Sequence, residues 1–103
     1  MDLPKHYICG GVYAKEWQGK KGTAIQQHTH NYDHLSYLAY GKVLVEVEGK
    51  ASFEAIGPTG LLIKKGLAHK VTAIEDCLWL CIHAIPEDLR SETDAEDFLI
   101  DRN

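Results

Sequence analysis

The sequence predicts an all-β fold, a sandwich or closed barrel of short strands followed by a short C-terminal helix. Three observations lead there. Turn residues punctuate the chain every few positions, from Gly10-Gly11 through Gly22, Gly41 and Gly49 to Gly66. The stretches between them are short and rich in β-branched and aromatic residues, the pattern of sandwiches and barrels. Where the pattern is cleanest, Val43, Val45 and Val47 alternate with Leu44, Glu46 and Glu48, which is the two-residue period of a strand.

The elements follow in order. Residues 23–30 read as a strand entering a turn at 31–33, and 34–40 as the strand that returns. Gly49-Lys50 closes a hairpin between 43–48 and 51–56. Residues 57–60 form a loop, 61–63 a short strand, and 64–66 a turn toward His69. Strands at 70–74 and 77–85 complete the set. On the last, Trp79, Cys81 and His83 share one face, and Leu78, Leu80 and Ile82 the other. Parity decides which residues share a face, not which face is inward. Tyr37 and Tyr40 are expected on opposite faces, as packing residues. Pro86 ends the last strand and suits a first helical turn. Thr93 with Glu96 three residues on is the expected capping box. Phe98, Leu99 and Ile100 give the helix something to bury.

A length of 103 residues fits one domain, 1–103. The net charge of −4 offers no basic surface, so neither nucleic acid nor an anionic membrane is an expected partner. Residues 86–103 hold seven of the fifteen acids and two of the eleven bases. That acidic tail is either a solvated helix face or a docking element. Three cysteines, Cys9, Cys77 and Cys81, without disulfide-scaffold spacing, point to reduced thiols. Residues 1–7 do not read as a secretory leader, and no run approaches the ~20 apolar residues of a membrane helix. A cytoplasmic protein is expected.

Four of the six histidines carry the chemistry. His28 and His30, one residue apart on a predicted strand, share a face about 7 Å apart, a spacing at which two imidazoles can chelate one ion. His34 returns beside them after the turn at 31–33. His69 follows a glycine turn far along the chain and could complete the set across a barrel. Imidazole donors suit iron, nickel, copper and zinc. Four neutral ligands leave the full charge on the ion, with open positions for a chelating substrate. Gln26 shares the face of His28 and His30. No nucleophile elbow, phosphate loop or dinucleotide glycine pattern is present, so any catalysis is expected to run through the metal.

The spacing Gly22, five residues, His28-Thr29-His30, three residues, His34, six residues, Gly41 resembles the first motif of the cupin superfamily. Gly66, two residues and His69 resemble part of the second. The likeness spans about 22–85, the expected metal-site core. His34 stands where most cupins have glutamate, Lys64 where they have proline, and Ala73 where they have asparagine. The chain is thus similar to small cupins with an all-histidine site. That resemblance implies a double-stranded β-helix (jelly-roll) barrel with a short C-terminal helix, commonly a homodimer. It implies one divalent transition metal on His28, His30, His34 and His69. Manganese or iron are implied first; nickel, zinc, cobalt or copper remain compatible. If the face of Trp79, Cys81 and His83 looks inward, His83 is the expected acid–base residue. Gln26, Leu38, Trp79 and Cys81 would then shape the pocket for a small-molecule ligand. A dioxygenase, isomerase or lyase acting on a chelating oxygenated molecule, a non-catalytic binding or sensing module, and a purely structural metal protein all stay open, because the fold does not choose among them.

Overall fold

The computed structural model describes residues 4–25 and 31–99. Among the described residues nine strands and one helix follow in chain order: β1 Lys5–Cys9, β2 Val12–Gly19, β3 Ala24–Ile25, β4 His34–Tyr40, β5 Lys42–Val47, β6 Phe53–Ile56, β7 Thr59–Ile63, β8 His69–Ala73, β9 Cys77–Ala84 and α1 Glu92–Leu99. They form two antiparallel sheets, ordered β1-β2-β9-β4-β7 and β3-β8-β5-β6. The neighbours are mostly distant in sequence, so the chain crosses repeatedly between the sheets and packs their inner faces together.

Alternation builds the core between the sheets. Leu38 of β4, Val43 and Val45 of β5, Val71 and Ala73 of β8, and Cys77, Trp79 and Cys81 of β9 all point into it. The face of β9 bearing Trp79, Cys81 and His83 is therefore the inner one. A second apolar cluster, Tyr13, Ile85, Ala95 and Leu99, docks α1 onto the β1–β2 end. The described part of the acidic tail thus folds back on its own chain, burying Ala95 and Leu99. Asn31 accommodates the helix end, its backbone N–H donating to the Leu99 carbonyl at 2.7 Å and its side-chain amide to the Phe98 carbonyl at 3.2 Å.

Several local expectations shift. The expected strand over 23–30 begins at Ala24–Ile25, and its remainder lies outside the described residues. The loop at 57–60 shortens, because Thr59 and Gly60 pair with Leu38 and Tyr37 and extend β7. The helix is capped by Ser91, whose hydroxyl accepts the Asp94 N–H at 3.1 Å; Thr93 lies inside the helix. Tyr37 and Tyr40 are both on the outer face, because a bulge between Leu38 and Tyr40 breaks the alternation. The hairpin β1–β2 adds two strands that alternation did not reveal. Gly10 and Gly11, at φ 56° and 83°, make its tight turn. Its pattern is obscured by Lys15, which lies inward between Tyr13 and Trp17, with its ammonium on Glu96 at 2.9 Å.

Candidate metal centre and ligand cavity

The inner faces of β4 and β9 bring polar groups together at one end of the core. Register sets Ser36 opposite Cys81 and Leu35 opposite Ile82, and continued by one residue it sets His34 directly opposite His83. Both are buried, with ring centroids 4.1 Å apart and planes at 30°. Ser36 sits beneath them, fully buried, its Oγ 3.3 Å from His34 Nε2 and its hydroxyl directed to Cys81 Sγ at 3.8 Å. Burial pushes the Cys81 thiol up from its ordinary value and overrides the opposing pull of Trp79, Ser36 and Lys15. Cys81 is a neutral thiol here and not a nucleophile.

Beyond His83 the network reaches the surface. Tyr13, opposite His83 on β2, stacks on its ring at 6.0 Å. The Tyr13 hydroxyl donates to Glu96 at 3.2 Å and lies 2.7 Å from His6 Nδ1. His6 Nε2 faces Glu92 at 2.8 Å. Burial, reinforced by Glu96, pushes the Tyr13 phenol well above its ordinary range. Glu96 is held below the usual carboxylate range. Burial opposes this, but the Lys15 ammonium and the Tyr13 hydroxyl outweigh it.

His69 stands apart from this group, at the start of β8 in the other sheet, opposite Val47. Its Nδ1 is 2.8 Å from the Leu67 carbonyl. A carbonyl only accepts, so Nδ1 carries the proton and the Nε2 lone pair is left for a ligand. This is the arrangement that metal-binding histidines favour, with the second nitrogen anchored on an oxygen. His69 borders a cavity of about 240 Å³ walled by β5, β6 and β7. A separate cleft of about 250 Å³ runs from His83 to Phe98 and Leu99.

Of the sequence-predicted ligands, His34 and His69 are described; His28, His30 and the pocket residue Gln26 lie outside the described residues. Among the described residues no group of three or more candidate ligands converges. Leu38 and Trp79 are completely buried in the core, and Cys81 is nearly so. Ser36 and Tyr13 belong to the site but were not singled out in the sequence. The signal for Ser36 was its parity with His34; Tyr13 carried none, because its strand was unrecognised.

No protein-family model matches this chain, and no curated protein does. Solved structures do match. A cupin superfamily protein from Desulfitobacterium hafniense superposes with a TM-score of 0.71 at 13% identity, over 82% of this chain and 77% of that one. KdgF from Halomonas sp. gives 0.68 at 18%, over 82% and 81%. A cupin-2 domain containing protein from Shewanella frigidimarina gives 0.64 at 16%, over 79% and 78%. The fold is therefore that of the cupins, a double-stranded β-helix barrel. Among the described residues no helix is long and apolar enough to cross a membrane.

Proposed function

We propose that this chain is a metal-binding cupin whose ion is held by His28, His30, His34 and His69 and which acts on a small chelating oxygenated molecule. The observation that carries this is His69, whose Nδ1 is anchored on the Leu67 carbonyl and whose other nitrogen is thereby left as an acceptor beside a cavity. His34, buried on the inner face of β4, fits the same donor set. The ion would supply Lewis-acid polarisation of bound oxygen atoms, or redox chemistry with iron or manganese. The protein's own part is proton handling and water exclusion. His83, packed on His34, is placed to hold a proton beside the site. Leu38 and Trp79 keep the barrel centre dry. Dioxygenase-type chemistry is the favoured reaction, with isomerase or lyase chemistry next.

The test is metal analysis of protein purified without added metal, then titration with iron and manganese. We expect about one ion per chain, and loss of tight binding in His69→Ala and in His30→Ala. Wild type that takes up no stoichiometric metal, or His69→Ala that binds as tightly as wild type, refutes the ligand set. Oxygen consumption over a panel of chelating substrates then separates the dioxygenase version from the others. Metal uptake without turnover of any substrate would leave a binding module.

We further propose a homodimer through the outer face of the five-stranded sheet. One row across it runs Tyr7, Ala14, Ile82, Leu35 and Leu62. Leu35 is 47% and Leu62 60% exposed, with Tyr37 and Tyr40 beside them. A sheet facing water on one side carries polar residues there, whereas this outer face is apolar over β9, β4 and β7 and polar only toward its β1–β2 edge, at Lys5, Glu16 and Gln18. Five strands ~4.8 Å apart and seven residues at ~3.3 Å give a projected face of roughly 500 Å², and its accessible area is larger. That approaches the ~800 Å² per partner of a stable interface. Light scattering should give twice the chain mass, and Leu35→Lys/Leu62→Lys half of that. A wild-type monomer at 100 µM excludes the dimer.

A further inference from the structure

The cavity beside His69 has an uneven lining. Val45, Val47, Phe53, Leu61 and Ile63 make it apolar, and the charged groups on it are Lys50 and Lys64. None of the described residues lining it is acidic, although acids outnumber bases in the chain by fifteen to eleven. Both lysines lie at strand ends. Lys50 is in the β5–β6 turn, where its N–H donates to the Val47 carbonyl, and Lys64 follows β7 directly. Lys64 is loosely paired, 3.9 Å from Asp33, with both side chains about half exposed. Among the described residues Lys50 makes no ion pair. By contrast, Lys15 and Lys42 sit on Glu96 and Glu54 at 2.9 and 3.3 Å. Asp33 meets Lys64 from outside the lining, and Glu46 and Glu48 line a separate, more open groove that shares Val47 and His69.

We propose that this cavity binds a small amphipathic carboxylate, its apolar tail against Val47, Phe53, Leu61 and Ile63 and its carboxylate toward Lys50 and Lys64. A volume of about 240 Å³ is that of roughly eight waters at ~30 Å³ each, which suits a chain or ring of six carbons or so. A phosphate or sugar has too many polar atoms for these walls, each one buried without a partner. A neutral hydrocarbon would leave the two ammonium groups unused. The proposal goes beyond the metal-centred reading and does not depend on it. Binding itself requires no metal.

The test is calorimetric titration at low salt with hexanoate, 1-hexanol and acetate, on chelator-treated and metal-loaded protein. Methyl NMR shifts of Val45, Val47 and Leu61 locate the site. We expect hexanoate to bind in the submillimolar range, at least tenfold tighter than either control, and to shift those methyls. Lys50→Gln/Lys64→Gln, both exposed positions, should weaken hexanoate about tenfold and leave 1-hexanol unchanged. Equal binding of hexanoate and 1-hexanol, shifts located elsewhere, or no effect of the double substitution overturns the proposal. Hexanoate binding that vanishes on chelation and ignores the lysines also overturns it, since the ion then holds the carboxylate. Binding that persists in a protein shown to take up no metal sinks the metal-centred function while leaving this pocket standing.

Discussion

Replacing Tyr13 by phenylalanine removes one oxygen from the joint between the barrel and its helix. Tyr13 is 2% exposed, and phenylalanine keeps the ring stacked on His83, so the packing is nearly preserved. What is lost is the bond to Glu96 at 3.2 Å and the contact with His6 at 2.7 Å. A neutral hydrogen bond contributes about 0.5–1.5 kcal/mol net and one to a charged group about 1.5–3 kcal/mol. Glu96 keeps Lys15 at 2.9 Å and is 24% exposed, which argues for the low end. The expected loss is about 2 kcal/mol. For a domain of this size that is a fall in Tm of roughly 8–16 °C. Urea unfolding followed by tryptophan fluorescence, in chelator so that metal binding does not contribute, measures it. The midpoint should fall with the slope unchanged. Amide exchange should quicken first in α1, because Tyr13 joins the helix to β2. A loss under ~0.5 kcal/mol, or α1 amides protected as in wild type, would refute the assignment of this hydroxyl as the helix anchor.

Three further outcomes are expected. The Glu96 carboxyl is lowered in the folded chain, so its stabilisation is complete above its ordinary value of 4.5 and is lost as pH falls through the lowered one. The stability gap between wild type and Glu96→Gln should thus be constant near neutrality and shrink in acid below about pH 4.5; a gap independent of pH contradicts the pairing. Gly41→Ala should cost several kcal/mol or prevent folding. Gly41 has φ 94°, and a Cβ there would overlap the Asp76 carbonyl oxygen and stand 2.6 Å from Cys77 Cβ. Near-native stability of that variant would show that the β4–β5 turn can be rebuilt. A thiol reagent at neutral pH should modify exposed Cys9 rapidly, and Cys77 and Cys81 only on unfolding, because burial raises both thiols.

Much of the barrel was legible because one face of each strand is apolar. The predicted 34–40 strand is β4 to the residue, and the shared face of Trp79, Cys81 and His83 holds along β9. Where a charged side chain turns inward, as Lys15 does, the alternation fails and the strand goes unread. The cap at Ser91 was missed for a related reason, since Thr93 and Ser91 are equally good residues and the helix start depends on where Pro86 and Ile85 leave the sheet.

By itself the sequence determined the all-β class, the position of His34 at a strand start and of His69 just after a glycine turn, and the parity of β9, because these are local consequences of period and turn chemistry. Tertiary structure alone decided which face of β9 is inward. It also decided that His34 lies against His83 while His69 lines a cavity in the opposite sheet, that Tyr13 fastens the helix, and that Lys50 and Lys64 share one mouth. Those facts depend on strand order, and pairing between strands distant in the chain is not encoded in the local pattern of either.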